Sequence, residues 1–285
     1  MAMLKKYGLL WCLTAAALFF AGSTCLSAND VWYTERVAVI AYHHIDDRVK
    51  GDVTITTERL HDQLADLMDR GYHFITLQQF RDYLSGGEVP SNAVLVTFDD
   101  GYRSFYTNAY PILVQLNIPA VNFVITGNLD QPLQSRIPSL SREEIREMAG
   151  SGSPIDFQCH TDRLHDKSPD GQALLTARMN HGDAAESEPE YTKRITDDTN
   201  RCTAKLSELG EQPVDAFAFP FGVYDKQSGA LLQAAGIRYA FTTVPGIADR
   251  STDPMQIPRI NAGSPFVKTN SLNNLIIRKL HRPQP

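Results

Sequence analysis

The feature that most constrains this chain is an alternation. Apolar runs of four to six residues recur between longer amphipathic stretches: Val37–Tyr42, Ala93–Phe98, Ala120–Ile125, Ile155–Cys159, Ala216–Phe219 and Tyr239–Thr242. Each is short, rich in β-branched or aromatic residues and bounded by turn formers, the pattern of buried strands. Between them, Leu60, Leu64, Leu67 and Met68 recur at helical spacing ahead of Gly71, a residue suited to ending a helix. Ser141 with Glu144 three residues later predicts a capped helix running to about Met148. Tyr191, Ile195, Cys202, Leu206 and Leu209 mark a longer helix ending at Gly210, and Leu231, Leu232 and Ala235 another ending at Gly236. Strands alternating with helices imply an α/β fold on a parallel sheet, open or closed into a barrel. In either form, reactive side chains belong at the C-terminal ends of the strands.

At 285 residues the chain is long enough for one α/β domain, and no linker rich in Gly, Ser or Pro divides it. Hydrophobic residues at 42% and charged residues at 21% suit a folded core. Two stretches read as excursions: the polar segment 166–189 and the Pro-containing loop 129–139. The first residues have a different grammar. Lys5 and Lys6 precede an apolar stretch from Tyr7 to Ala21, then Gly22, Ser23, Thr24, Ser27 and Ala28. That is a secretory signal, so residues 1–28 are expected to direct export to the periplasm or cell exterior and residues 29–285 to form the working domain. Retention of the segment as a membrane anchor and lipidation at Cys25 are the alternatives to cleavage.

Without residues 1–28 the formal charge moves from −6 to −8, because two lysines and no acids are lost. A net acidic chain is a poor partner for nucleic acid and suits a neutral substrate, or one that becomes cationic as it reacts. Cys159 and Cys202 fall in the working domain, where export permits a disulfide. The absence of any CxxC pair excludes a cysteine zinc knuckle.

Four strand ends carry chemistry. Asp99 and Asp100 follow the run Ala93–Phe98, and adjacent carboxylates repel unless something positive neutralises them. An acidic turn closed by Gly101 is the plainer reading. His160 and His165 follow Ile155–Cys159. One carboxylate and two imidazoles with open positions suit zinc or a similar divalent metal, though non-haem iron oxygenases use the same set. Tyr42, His43 and His44 close the first strand, where they either reach the same face or form a surface pair. Pro220-Phe221-Gly222 follows Ala216–Phe219 as a turn that directs the Phe221 amide toward the cleft.

Taken in order, Thr97-Phe98-Asp99-Asp100-Gly101, His160-Thr161-x-x-x-His165 and Pro220-Phe221-Gly222 resemble the motifs of the polysaccharide deacetylases, carbohydrate esterase family 4. The resemblance covers about residues 35–262. Within the family, the opening Tyr42-His43 strand is similar to the poly-β-1,6-N-acetylglucosamine deacetylases of biofilm export. The resemblance implies a distorted (β/α) barrel of about seven parallel strands and removal of N-acetyl groups from a polysaccharide, with release of acetate. It implies that Asp100, His160 and His165 hold a divalent metal: zinc, with cobalt, nickel or iron as alternatives. Asp99 would be the general base and His43 the acid, with His44 as the second choice. The Phe221 amide would serve the oxyanion, with Pro220, Tyr42 and His44 around the substrate.

Two positions depart from the family pattern. Phe217 stands where many members have an Arg, and Ile260-Asn261-Ala262 stands where many have Leu-x-His. Rival readings are peptidoglycan or chitin deacetylation on the same fold, and a catalytically inactive glycan-binding domain. An iron oxygenase fits less well, because such sites usually sit on jelly rolls.

Overall fold

All six apolar runs are strands: β1 (Arg36–Tyr42), β2 (Ala93–Phe98), β3 (Ala120–Val124), β4 (Ile155–Cys159), β5 (Ala216–Ala218) and β6 (Tyr239–Phe241). They lie side by side in chain order and every neighbouring pair is parallel. The crossovers use the helices α1 (Thr57–Asp69), α2 (Leu77–Leu84), α3 (Tyr110–Leu116), α4 (Arg142–Gly150), α5 (Glu188–Ser207) and α6 (Lys226–Ala234), with α7 (Thr269–Leu280) last. The computed structural model describes residues 30–150, 155–181 and 184–280. The expected signal segment, residues 1–28, lies outside them. No helix among the described residues is long and apolar enough to cross a membrane.

Strand alternation divides the core into two clusters. Val37, Val39, Leu95, Val121, Phe123, Ala216, Ala218 and Phe241 share one face with Leu77, Phe80 and Tyr83 of α2. Ala38, Ile40, Tyr42, Val94, Val96, Phe98, Phe157 and Phe217 share the other, under the remaining helices. The first face is concave. Its two outermost strands, β1 and β6, are joined through one segment, with Phe241 bridging in parallel to Ile257 and Ile40 pairing in parallel with Ile260. The strand Ile260–Asn261 therefore curls the sheet toward closure, as the seventh parallel strand that the resemblance implied. The nine-stranded sheet also takes in a short parallel strand, His73–Phe74, and an antiparallel one, Ala248–Asp249.

The helix signals act as expected. Ser141 and Glu144 exchange side-chain and backbone hydrogen bonds at the start of α4. The polar excursion ends sooner than its composition suggested, because Pro189 sits in the first turn of α5, where its missing N–H has no helical partner to lose. What precedes it is an anchored loop. The Arg194 guanidinium donates to the Leu174 and Ala177 carbonyls and to Glu186, and the Tyr191 hydroxyl donates to the Leu175 carbonyl. Cys159 of β4 and Cys202 of α5 are joined by a disulfide.

Candidate metal centre

Side chains alternate along a strand, so counting on by twos from the concave-face residues identifies what enters the mouth of the curl. From Val39 the count reaches His43, and from Leu95 it reaches Asp99. From Ala216 it reaches Pro220. Beyond β2, β4 and β5 the chain then reverses through residues at positive φ: Asp100 (72°) and Gly101 (63°), Thr161 (71°), Phe221 (57°) and Gly222 (70°). Such conformations are uncommon outside glycine and concentrate at functional sites. The first reversal turns the Asp100 carboxylate back into the mouth that Asp99 already occupies.

Asp100, His160 and His165 meet there, with one ligand atom from each lying within 4.8 Å of the others. The His160 Nδ1 is 2.7 Å from the Ala218 carbonyl oxygen. A carbonyl only accepts, so Nδ1 carries the proton and Nε2 presents its lone pair, as in many ligating histidines. That Nε2 is 3.3 Å from Asp100 Oδ1, and the His165 Nε2 is 3.2 Å from the same oxygen. Asp100 Oδ1 is buried without a hydrogen bond. An unpartnered buried carboxylate oxygen facing two imidazole nitrogens calls for a cation. Ligands at about 2.0–2.1 Å in a tetrahedron stand about 3.3 Å apart, which these separations match.

The electrostatics agree. Burial would lower the His160 pKa, yet the negative Asp100 and Asp99 carboxylates beside it raise it, so the site draws positive charge. Burial and the neighbouring His160 push His165 down to about 4, which keeps it a neutral donor. Burial would raise Asp100, but the three histidines His160, His43 and His165 hold it well below the usual carboxylate range.

Asp99 stays out of the ligand group. Both its oxygens accept from Arg259, Nη1 to Oδ1 and Nη2 to Oδ2, each at 2.7 Å. Burial would raise its pKa, and this bidentate pair overrides that and keeps the carboxylate ionised. Arg259 is itself held, donating from Nε to the Thr242 carbonyl at 2.8 Å. His43 Nε2 stands 3.7 Å from Asp99 Oδ2, and the side chain remains partly exposed.

The other expected site residues fall elsewhere around the mouth. Pro220 is buried beneath the turn. The Phe221 ring lies 4.6 Å from that of His165, is 44% exposed and carries the Lys167 ammonium over it at 5.1 Å. The hydrogen bonds of the turn are donated by Gly222 and Val223 rather than Phe221. Tyr42 is buried on the convex side, stacked on Phe98, and donates to Gln63 Oε1 at 2.9 Å. His44 turns from the mouth to Ser104 Oγ at 2.8 Å, with Asp46 beyond it.

Arg259 is the site residue that the motifs do not reveal. One signal was available: a lone charge in Ile257-Pro258-Arg259-Ile260, two residues from Ile257 and hence on the same concave face.

A sequentially wound, nearly closed α/β barrel with Asp100, His160 and His165 grouped at its C-terminal mouth has the architecture of a barrel enzyme with a candidate metal site. Residues 86–240 match the profile of the polysaccharide deacetylases, and the chain belongs to that family. It is 27% identical over 207 residues to the poly-beta-1,6-N-acetyl-D-glucosamine N-deacetylase of Staphylococcus aureus (strain MSSA476), covering 73% of this chain and 67% of that protein. It is 29% identical over 265 residues to the protein of the same name from Escherichia coli (strain K12), covering 85% of this chain but 39% of that longer protein. Among solved structures, the de-N-acetylase of Aggregatibacter actinomycetemcomitans superposes with a TM-score of 0.74 at 25% identity, covering 85% of this chain and all (100%) of that one.

Proposed function

We propose that this chain removes N-acetyl groups from an exported poly-β-1,6-N-acetylglucosamine, releasing acetate and leaving free amines. The observation that carries the reading is that one mouth holds two separate sets of groups. Asp100, His160 and His165 converge as ligands, while Asp99 and His43 face each other beside them without joining. A divalent metal held by the three ligands, zinc by donor type, would polarise the amide carbonyl and acidify water by several pK units.

Asp99, fixed in its ionised form by Arg259, accepts the proton of the attacking water. The Phe221 amide, aimed by the positive-φ turn, donates to the oxygen that gains charge. The C–N bond then breaks and His43 donates the proton that the departing nitrogen needs. The water gives its oxygen to acetate and its protons are conserved between Asp99, His43 and the new amine. The exposed Phe221 ring offers a flat apolar surface to a sugar face. The two relatives that act on the β-1,6 polymer by name support that linkage, and the signal-like residues 1–28 support an exported site of action.

The test is acetate release from matched β-1,6- and β-1,4-linked N-acetylglucosamine oligomers, with metal content measured on the same preparation. Faster release from the β-1,4 series sinks the linkage and favours a chitin or peptidoglycan substrate. No release from either, with metal bound, sinks the activity.

A further inference from the structure

The five-residue step from His160 to His165 is held from outside the barrel by α5. Asp198 of α5 is 1% exposed, and its carboxylate accepts two backbone N–H groups of that step: Asp162 to Oδ1 at 2.8 Å and Arg163 to Oδ2 at 2.7 Å. Asp162, also 1% exposed, sends its own carboxylate back to the helix, accepting from Lys205 Nζ at 2.7 Å and from Arg201 Nε at 3.3 Å, and from Thr126 Oγ1 at 2.8 Å. Cys202 binds Cys159, the residue before His160. Asp198, Arg201, Cys202 and Lys205 are spaced i, i+3, i+4 and i+7, one face of one helix.

The step makes further hydrogen bonds of its own. The Thr161 carbonyl accepts from the Thr126 amide and the Asp162 carbonyl from the Gly127 amide, while the Leu164 amide donates to Thr161 Oγ1. Thr161 itself sits at φ 71°, which a β-branched residue adopts only under constraint. At Gly127 a Cβ would meet the Asp162 carbonyl oxygen at 2.2 Å. A conformation this disfavoured, placed between two ligands, persists because something else fixes it.

We infer that Asp198 is a positioning residue for the metal centre. By capping the Asp162 and Arg163 amides, it holds His165 in register with His160 and Asp100. The inference rests on the metal-centre reading above. Two N–H bonds to a buried carboxylate are charge-assisted and short, so they fix the step more firmly than a neutral acceptor could. Replacing Asp198 leaves the Asp162 and Arg163 amides without their acceptor and lets Thr161 relax.

The experiment measures zinc affinity by competition with a chelating dye, using the full working domain, together with thermal midpoints. Asp198→Ala should weaken zinc binding at least tenfold and Asp198→Asn, which keeps one acceptor oxygen, by about threefold. Phe80→Leu, in the concave core against Phe241 and outside the His160–His165 step, should lower the midpoint while leaving zinc affinity unchanged. Equal zinc affinity in Asp198→Ala and wild type overturns the inference alone, and so does an equal loss in Phe80→Leu. Absence of zinc binding by the wild type overturns the metal reading and the inference with it. If Asp198→Ala does not fold, Lys205→Met decides: it leaves Asp198 in place and removes the nearer of the two α5 cations on Asp162, leaving Arg201. A loss of at least threefold in affinity supports the brace, and no loss overturns it.

Discussion

Arg259 and Asp99, 160 positions apart, form a bidentate ion pair across the mouth of the barrel, each bond at 2.7 Å. Both are buried. The pair joins the segment that closes the sheet to the carboxylate beside the candidate ligands Asp100, His160 and His165. Arg259→Met strands a buried carboxylate, which typically destabilises by about 3–5 kcal/mol. Arg259→Lys is the sharper test, because it keeps the charge and loses the planar fork. It should fold and deacetylate at least tenfold more slowly, with kcat falling and KM nearly constant. Wild-type kcat in Arg259→Lys would show that the fork does not set Asp99. Asp99→Asn should lose roughly 10²–10⁴-fold, the usual range for a general base.

Removal of metal should abolish acetate release, and zinc, cobalt or nickel should restore it. His160→Ala should neither bind metal nor regain activity on reconstitution, because its Nε2 is one of three donors and its Nδ1 is tied to Ala218. Zinc at a hundredfold its dissociation constant should stabilise the wild type by about 2.7 kcal/mol and His160→Ala far less. Activity that survives exhaustive chelation, with metal content below stoichiometric, removes the centre from the mechanism.

Phe221 has two proposed roles that mutation can separate. Its ring is exposed beside His165, whereas its amide is set by the turn. Phe221→Ala removes the ring and keeps the N–H, so KM should rise several-fold with little change in kcat. Gly222→Ala does the reverse. It puts a Cβ at φ 70°, 1.9 Å from Thr243 Oγ1, and should cost about 1–3 kcal/mol of stability while displacing the amide. Its kcat should fall more than its affinity for substrate. An unchanged kcat in Gly222→Ala argues against the amide as oxyanion donor.

The six central strands lie within one residue of the ends that the apolar runs suggested, because burial on both faces of a parallel sheet leaves a nearly continuous hydrophobic signature. The ligand group was legible for a related reason: His160 stands immediately beyond a strand end, where parity carries it inward, and Asp100 stands one residue further beyond another, turned inward by its positive φ. Helix α2 spans only eight residues, so its signals, the Thr76–Gln79 capping box and Leu77, Phe80 and Leu84 at helical spacing, are brief. The seventh strand is two residues long and follows Pro258, so no local period announces it. It exists through its register with β1 and the bridge to β6. Arg259 was hidden by the same brevity. Tyr42 and His44 were placed near the substrate from their neighbour His43, yet strand alternation sends the adjacent side chains to the opposite face.

The Cys159–Cys202 disulfide and the Asp198 cap act on the same step of chain by different physics, and this gives the last prediction. A disulfide stabilises mainly by restricting the unfolded chain. At a sequence separation of 43 the loop-closure model allows up to about 4 kcal/mol. The cap instead fixes native geometry. The double variant Cys159→Ala/Cys202→Ala should therefore lower the thermal midpoint, by about 2–4 °C for each kcal/mol lost in a chain of this size. Its zinc affinity should stay within about threefold of wild type, since Asp198 still holds the Asp162 and Arg163 amides. Paired measurements of midpoint and zinc affinity on this variant and on Asp198→Ala separate the two effects. If the cysteine variant loses zinc as strongly as Asp198→Ala does, the covalent link rather than the carboxylate sets the position of His165.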